Sequence, residues 1–173
     1  MNKEYSILLQ KDGVETSAKD IQDDFGFVCT SIVEGRIEAK ELEKNSWWEE
    51  DGEEVFIPSN MKLMGLDLEI GLVYVGTPNT YHQKLDALIG YLTSELGEFG
   101  LMTFSQFHNR GFRYCFFKSF DENTLFKGTT EECYECKLTL RSEDPRTRVS
   151  PSTDGNGKIS LNVEAKKDEI SNT

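Results

Sequence analysis

The chain has 173 residues, 37% of them hydrophobic and 11% aromatic, with a formal charge of -12. That is enough apolar material for one packed domain, or a domain with an ordered arm, and it excludes wholesale disorder. The acidity excludes the clustered Lys and Arg that a phosphate backbone or an anionic membrane surface demands, and no run approaches the about 20 apolar residues of a membrane span.

Residues 1–60 carry fifteen acids against six bases, 61–145 twelve against eight, and 146–173 four against five, so the acid is concentrated in the first third. The opening residues 1–10 lack the basic segment and long apolar run of a secretory leader, which sets the expectation of synthesis in the cytoplasm. Cys29, Cys115, Cys133 and Cys136 are too few and too irregularly spaced for a disulfide scaffold, so free thiols are expected.

In chain order, the apolar run 5–10 ends at Lys11-Asp12-Gly13, a hairpin-type turn, with residues 14–16 pairing back as a small edge hairpin. Residues 25–33 are rich in aromatic and β-branched side chains and read as one strand, turned by Gly35. From Arg36 to Glu54 the composition becomes charged, with Trp47-Trp48 inside it and Asp51-Gly52 as a turn, which reads as a surface excursion. Val55-Phe56-Ile57 is stopped by Pro58. Over 66–75 the period of two is clear: Leu66, Leu68, Ile70, Leu72 and Tyr74 share one face, while the other begins polar and turns apolar, as expected if one end is covered by a neighbour.

Thr80 with Gln83 is a capping-box pattern, and Tyr81, Leu85, Leu88, Ile89, Leu92 and Leu96 make a helical stripe, so one helix is expected over about 80–96, stopped by Gly97. Residues 101–107 and 112–120 read as a hairpin about the turn 108–111, with Phe112, Tyr114, Phe116 and Phe120 on one face of a central strand covered on both sides. Tyr134, Cys136, Leu138 and Leu140 alternate with polar residues in a half-exposed strand ending at Pro145. The remaining residues 146–173 form a polar C-terminal arm in which Ile159, Leu161 and Val163 alternate as one more short strand. The chain therefore divides into a β-rich domain over 1–145 and the arm. The fold class is α+β, mostly β: a β-sandwich or rolled antiparallel sheet flanked by one helix.

No constellation of catalytic residues emerges. Cys133 and Cys136 have the gap of a zinc half-site, but their odd separation on a strand sends them to opposite faces, and no second Cys/His pair stands at usable spacing. His82 and His108 fall in a first helical turn and a hairpin turn without a neighbouring nucleophile. The acids Glu49, Glu50, Asp51, Glu53 and Glu54 lack the ligand spacing and central Gly of an EF-hand, and read as a solvated charge run. Nucleotide-binding and hydrolase signatures are missing as well. No enzyme, metal or cofactor is expected. Two adjacent indoles at Trp47-Trp48 cannot both face a core on a strand, so the loop either anchors a contact or tucks onto its own domain.

The order of these features resembles the N-terminal domain of phage distal tail proteins and their tail-tube relatives over about residues 20–145: Phe25-Gly26-Phe27, then Trp47, Trp48, Asp51 and Gly52, the long alternating strand, the helix with Lys84-Leu85-Asp86-Ala87-Leu88, the aromatic hairpin, and the strand to Pro145. The resemblance implies a non-catalytic subunit of a phage or prophage tail or baseplate. It would assemble in the bacterial cytoplasm, close with copies of itself into a ring of six, and dock other tail proteins without binding nucleic acid sequence-specifically or entering a membrane. The large C-terminal carbohydrate-binding-like domain of longer distal tail proteins is not expected within these 173 residues. A ring subunit needs open sheet edges, and 101–107 and 159–163 are the expected ones. The interface candidates are thus Trp47, Trp48, Phe104, Phe107, Ile159, Leu161 and Val163. The alternative is a small soluble module that holds a protein or glycan through the Trp47/Trp48 loop.

Overall fold

A computed structural model of the chain describes residues 6–164. The elements in order are β1 (Ile7–Lys11), β2 (Lys19–Asp20), α1 (Ile21–Phe25), β3 (Val28–Glu34), β4 (Lys44–Asn45), β5 (Glu54–Val55), β6 (Leu66–Gly76), α2 (Pro78–Thr93), β7 (Leu101–Ser105), β8 (Arg110–Lys127), β9 (Glu132–Thr153) and β10 (Ile159–Val163). Alternation drives the assembly. In β6, Leu66, Leu68, Ile70, Leu72 and Tyr74 are buried while the residues between them stay half-exposed and Val75 is exposed, and the strand pairs antiparallel with β3 on one side and β9 on the other. The full order is β2-β1-β7-β8-β9-β6-β3, with β10 added to β9 and a separate two-stranded β4–β5 sheet. This large antiparallel sheet is not closed into a barrel, and the class is α+β, mostly β. It curls nonetheless: Arg110, at the start of β8, pairs with Glu34, at the end of β3, at 2.7 Å, although two strands lie between them in the sheet.

Two cores lie on opposite faces of β1 and β7. The concave side holds Ile7, Leu9, Leu101, Leu138 and Leu140 together with Phe25 of α1 and Tyr81, Leu88 and Leu92 of α2, so the helices plug the open side of the curl. The other side holds Leu8, Met102, Phe104, Val149 and Leu161. The far half of β9 and β10 fold back over β1 and β7, and Gln10, itself buried, accepts the amide hydrogen of Leu161 at 2.7 Å. Every residue of β1 and β7 is consequently buried.

Several expectations need correction. The strand over 25–33 is split. Asp20 accepts from Gln22 and Asp23 to start a five-residue helix, and Gly26, at φ 77, closes it with Gly26 and Phe27 amides bonded back to Gln22 and Ile21. There are thus two helices where one was expected. The return strand of the first hairpin is Lys19–Asp20 rather than residues 14–16; Tyr5 lies outside the described residues. Helix α2 begins two residues early and ends at Thr93, because Thr77 caps it and Pro78, with its φ already set and no amide to satisfy, occupies the first position. Gly97 instead closes a tight turn with Gly100.

In β8 the predicted face is broken by register shifts at Phe112/Arg113 and Phe117/Ser119: Phe112 and Cys115 are buried while Tyr114 and Phe116 point outward. The strand is central, as expected, but its far face is open. Strand β9 runs through Pro145 to Thr153. Opposite Phe112/Arg113 it passes from Asp144 to Arg148, and the intervening residues bulge, so the missing proline amide removes no ladder bond. Asp144 organises the bulge by accepting from the Thr147 amide at 3.2 Å and hydroxyl at 2.6 Å. Residues 101–107 are not an edge, since β7 is paired on both sides by β1 and β8. The arm packs on its own chain through β10, and residues 165–173 lie outside the described residues.

Candidate interaction surfaces

The residues that could have carried chemistry are held apart or held inert. Cys136 points into the core 3.6 Å from the Tyr81 hydroxyl, while Cys133 faces the other side and is half-exposed. Burial pushes the Cys29 thiol up to about 11 and the Cys115 thiol up to about 12, and it raises Cys136 as well, so these three are protonated at neutral pH. His82 packs edge-on to Tyr81 at the helix start and His108 lies in the β7–β8 turn, far apart in the sequence order of elements and in separate surroundings. Among the described residues, no group of three or more His, Cys, Asp or Glu side chains is placed to hold a metal ion.

What the surface does present is apolar. Residues 36–64 leave the sheet after Gly35, whose amide bonds to Asp67, and return through the Ala39–Leu63 bridge. Between them β4 and β5 form a minimal hairpin, paired Lys44 to Val55 and Asn45 to Glu54 and carrying a Lys44–Glu53 ion pair at 3.5 Å. Its loop holds Trp47, 57% exposed, and Trp48, 92% exposed, and Phe56 and Ile57 follow on the open side. An indole with almost all of its surface in water is not tucked against its own domain. The interface candidates therefore separate. Trp47, Trp48, Phe107 and Val163 are exposed, Ile159 is half-buried, and Phe104 and Leu161 are spent in the second core.

The open edges of the large sheet, among the described residues, are the outer side of β3, which pairs only with β6, and the short β2 and β10. Sequence reasoning missed the β3 edge because strand order is a long-range property. It also missed the outer sheet face at the start of β3 and the far ends of β6 and β8, where Val28, Val75 and Phe126 are exposed. The available signal was the second face of β6, which turns from Asp67 and Glu69 to Val73 and Val75.

The polar half of that face is an ion-pair lattice. Asp67 receives Lys118 at 2.7 Å and Arg141 at 3.2 Å, Arg141 also reaches Glu143 at 2.9 Å, and Lys137 lies 3.8 Å from Glu69. The Lys118 ammonium, with Arg141 behind it, holds the Asp67 carboxyl below the ordinary carboxylate value. A depressed folded-state pKa contributes stability that is present above the unfolded value, about 3.9, and is lost as pH falls through the lower folded value. Asp67→Asn is therefore expected to destabilise the chain at pH 7 by no more than about 1 kcal/mol, since the pairs are partly exposed. The gap from wild type should close as pH falls below about 4, which urea denaturation at a series of pH values would read.

Compared with known proteins, the chain matches no family model and no curated protein. Among solved structures, its fold superposes on the SPP1 Dit (gp 19.1) protein, described as a paradigm of the hub adsorption apparatus in phages infecting Gram-positive bacteria, with a TM-score of 0.57 at 16% identity over 84% of this chain. The chain has the fold of that phage hub protein. It spans about half of the hub protein's length, 52%. A subunit from the tail of an empty GTA particle, refined with C6 symmetry, aligns over 95% of this chain and 98% of its own at 14% identity, with a TM-score of 0.37. In the Dit-like fold described here the curled sheet, its helical plug and the β9–β10 fold-back are body, and the 36–64 excursion and the β3 edge project from or border it.

Proposed function

We propose that this chain is a structural subunit of a phage or prophage tail, a distal tail or tail-tube-like component that works by assembling with copies of itself and docking adjoining tail proteins in the virion. The observation that carries the reading is the conjunction of a hub-protein fold with a surface built for contact, namely an open β3 edge and a projecting hairpin tipped by Trp48. Open edges offer backbone donors and acceptors to another chain, and a monomer that leaves large indoles in water gains by burying them. Two different surfaces on one chain suit a heterologous contact, which closes into a ring when the rotation per subunit divides a full turn; six copies is the number the reading adopts. The acid-rich first third suits a ring through which DNA passes, because like charge keeps the polymer off the wall.

Size-exclusion chromatography with light scattering, followed by negative-stain electron microscopy, tests this directly. Closed rings or concentration-dependent tubes are the expected result. A chain that remains monomeric at every concentration and forms no ring with tail partners would instead favour the single-module reading, in which the exposed Trp47/Trp48 loop holds a protein or glycan.

A further inference from the structure

Two grooves flank the β7–β8 turn and meet at His108. The first, about 320 Å³, is apolar and lies between the free edge of β3 and the turn, lined by Thr30, Ser31, Ile32, Phe107 and His108 among others. The second, about 420 Å³, is polar and is lined by His108, Arg110, Arg148, Pro151 and Glu164 among others. Both fall in the size range, about 300–1,000 Å³, of concave sites that bury small-molecule ligands, so either has room for a single large side chain. Arg110 is already committed to Glu34 at 2.7 Å. Arg148 is exposed, and among the described residues no carboxylate forms an ion pair with it.

The sequence at the hairpin tip has the matching order: Trp47-Trp48-Glu49-Glu50-Asp51, two indoles followed by three acids. All five are exposed, so the tip does not fill the grooves of its own chain. We infer that the Trp48 end of one copy's hairpin seats in the apolar groove beside the β3 edge of a second copy, with Glu49 and Glu50 reaching Arg148. The inference rests on the self-assembly reading above and specifies its contact. A contact of this kind is heterologous, because hairpin and groove are different surfaces, and the apolar slot beside an open strand edge lets the indole supply affinity while the arginine fixes direction.

The test uses the full chain with Trp48 replaced by the photocrosslinker p-benzoylphenylalanine, irradiated at concentrations spanning the assembly range, with the crosslinked peptide mapped by mass spectrometry. Crosslinks to 29–32 or 105–108 of a second copy are expected. Crosslinks between copies that map elsewhere, or crosslinks within one chain, overturn this contact while leaving self-assembly standing. Absence of any association or intermolecular crosslink overturns both. A second arm measures association by light scattering. Trp48→Ala should weaken it about thirtyfold and Arg148→Glu about tenfold, and adding Glu49→Arg and Glu50→Arg to Arg148→Glu should restore most of the loss. All four positions are exposed, so the variants keep the wild-type circular dichroism and melting profile. Wild-type association in Trp48→Ala, or failure of the charge swap to rescue, overturns the assignment.

Discussion

Tyr81→Ala is expected to lose about 3–5 kcal/mol of stability, the cost of removing a large aromatic from a packed interior and a large share of the about 5–15 kcal/mol that holds a domain together. Tyr81 is fully buried in the first turn of α2, where it is the point at which the helix meets the sheet. Its ring stacks on Tyr134 of β9 with centroids 3.8 Å apart and planes at 1°, lies 5.8 Å from Tyr74 of β6, and meets Phe27, just ahead of β3, edge-on at 6.3 Å. Its hydroxyl donates to Glu122 of β8 at 2.6 Å. One side chain thus ties four strand neighbourhoods to the helix. Burial, with the Glu122 bond next, pushes the phenol pKa above its ordinary value, so the ring stays neutral across the whole working range of pH.

The control is Tyr81→Phe, which keeps the stack and removes the hydroxyl, with its bond to a carboxylate on an exposed residue that water can resolvate and its weak 3.6 Å contact with the Cys136 thiol. That change should cost about 1.5 kcal/mol. Urea denaturation at constant slope separates the two, since a shift of midpoint alone reports stability. If Phe costs as much as Ala, the hydroxyl rather than the ring anchors the helix, and the packing account fails.

The same residue shows what a sequence discloses and what it withholds. The stripe that begins at Tyr81 is legible because a helix repeats its buried face every three or four positions, and Leu88 and Leu92 follow it into the core. Tyr91 is buried too, yet nothing local marks it: its ring is flanked by Lys11 at 4.5 Å and Lys19 at 4.7 Å, from the far end of the chain. Strand β6 could be read almost residue by residue, since one face is core and the other is ion pairs and valines. Strand β8 could not. A bulge adds one residue and flips every side chain after it, so counting in twos places Tyr114 and Phe116 inside when they lie outside.

The continuous burial of β1 and β7 has a sequence signal, the unbroken apolar runs at 7–9 and 101–102, but what covers their second face is a strand arriving from beyond Pro145. That proline looked like an end because proline cannot serve a ladder. It sits instead in a bulge where no ladder bond is needed. Of the contact surface, the tryptophan hairpin was visible because it is local, and the β3 edge was not, because which strand keeps an open edge depends on the whole topology.

Gly111→Ala should be nearly as costly as removing a core leucine, at about 3 kcal/mol, the upper part of the usual range for overpacking. Gly111 lies near the start of β8 where three strands converge, and a Cβ there would stand 2.5 Å from the Thr103 carbonyl oxygen of β7 and 2.9 Å from the Val149 carbonyl oxygen of β9. Both obstacles are backbone, on two different strands, so neither can rotate away. The strain falls on the crossing where the far half of β9 turns back over β7 to close the second core around Phe104 and Leu161. Loss should therefore be felt first in β10, as faster amide exchange at Leu161, whose bond to Gln10 depends on that fold-back. Gly90→Ala supplies the opposite sign. That glycine is in the interior of α2 with nothing within 4 Å of its would-be Cβ, so alanine there removes unfolded-chain freedom and stabilises by about 0.5–1 kcal/mol. Thermal melts of the two variants should move in opposite directions. If Gly111→Ala melts with the wild type, β7 and β9 are not held in close contact at this crossing, and the fold-back that buries the second face of β1 and β7 is looser than the packing described here.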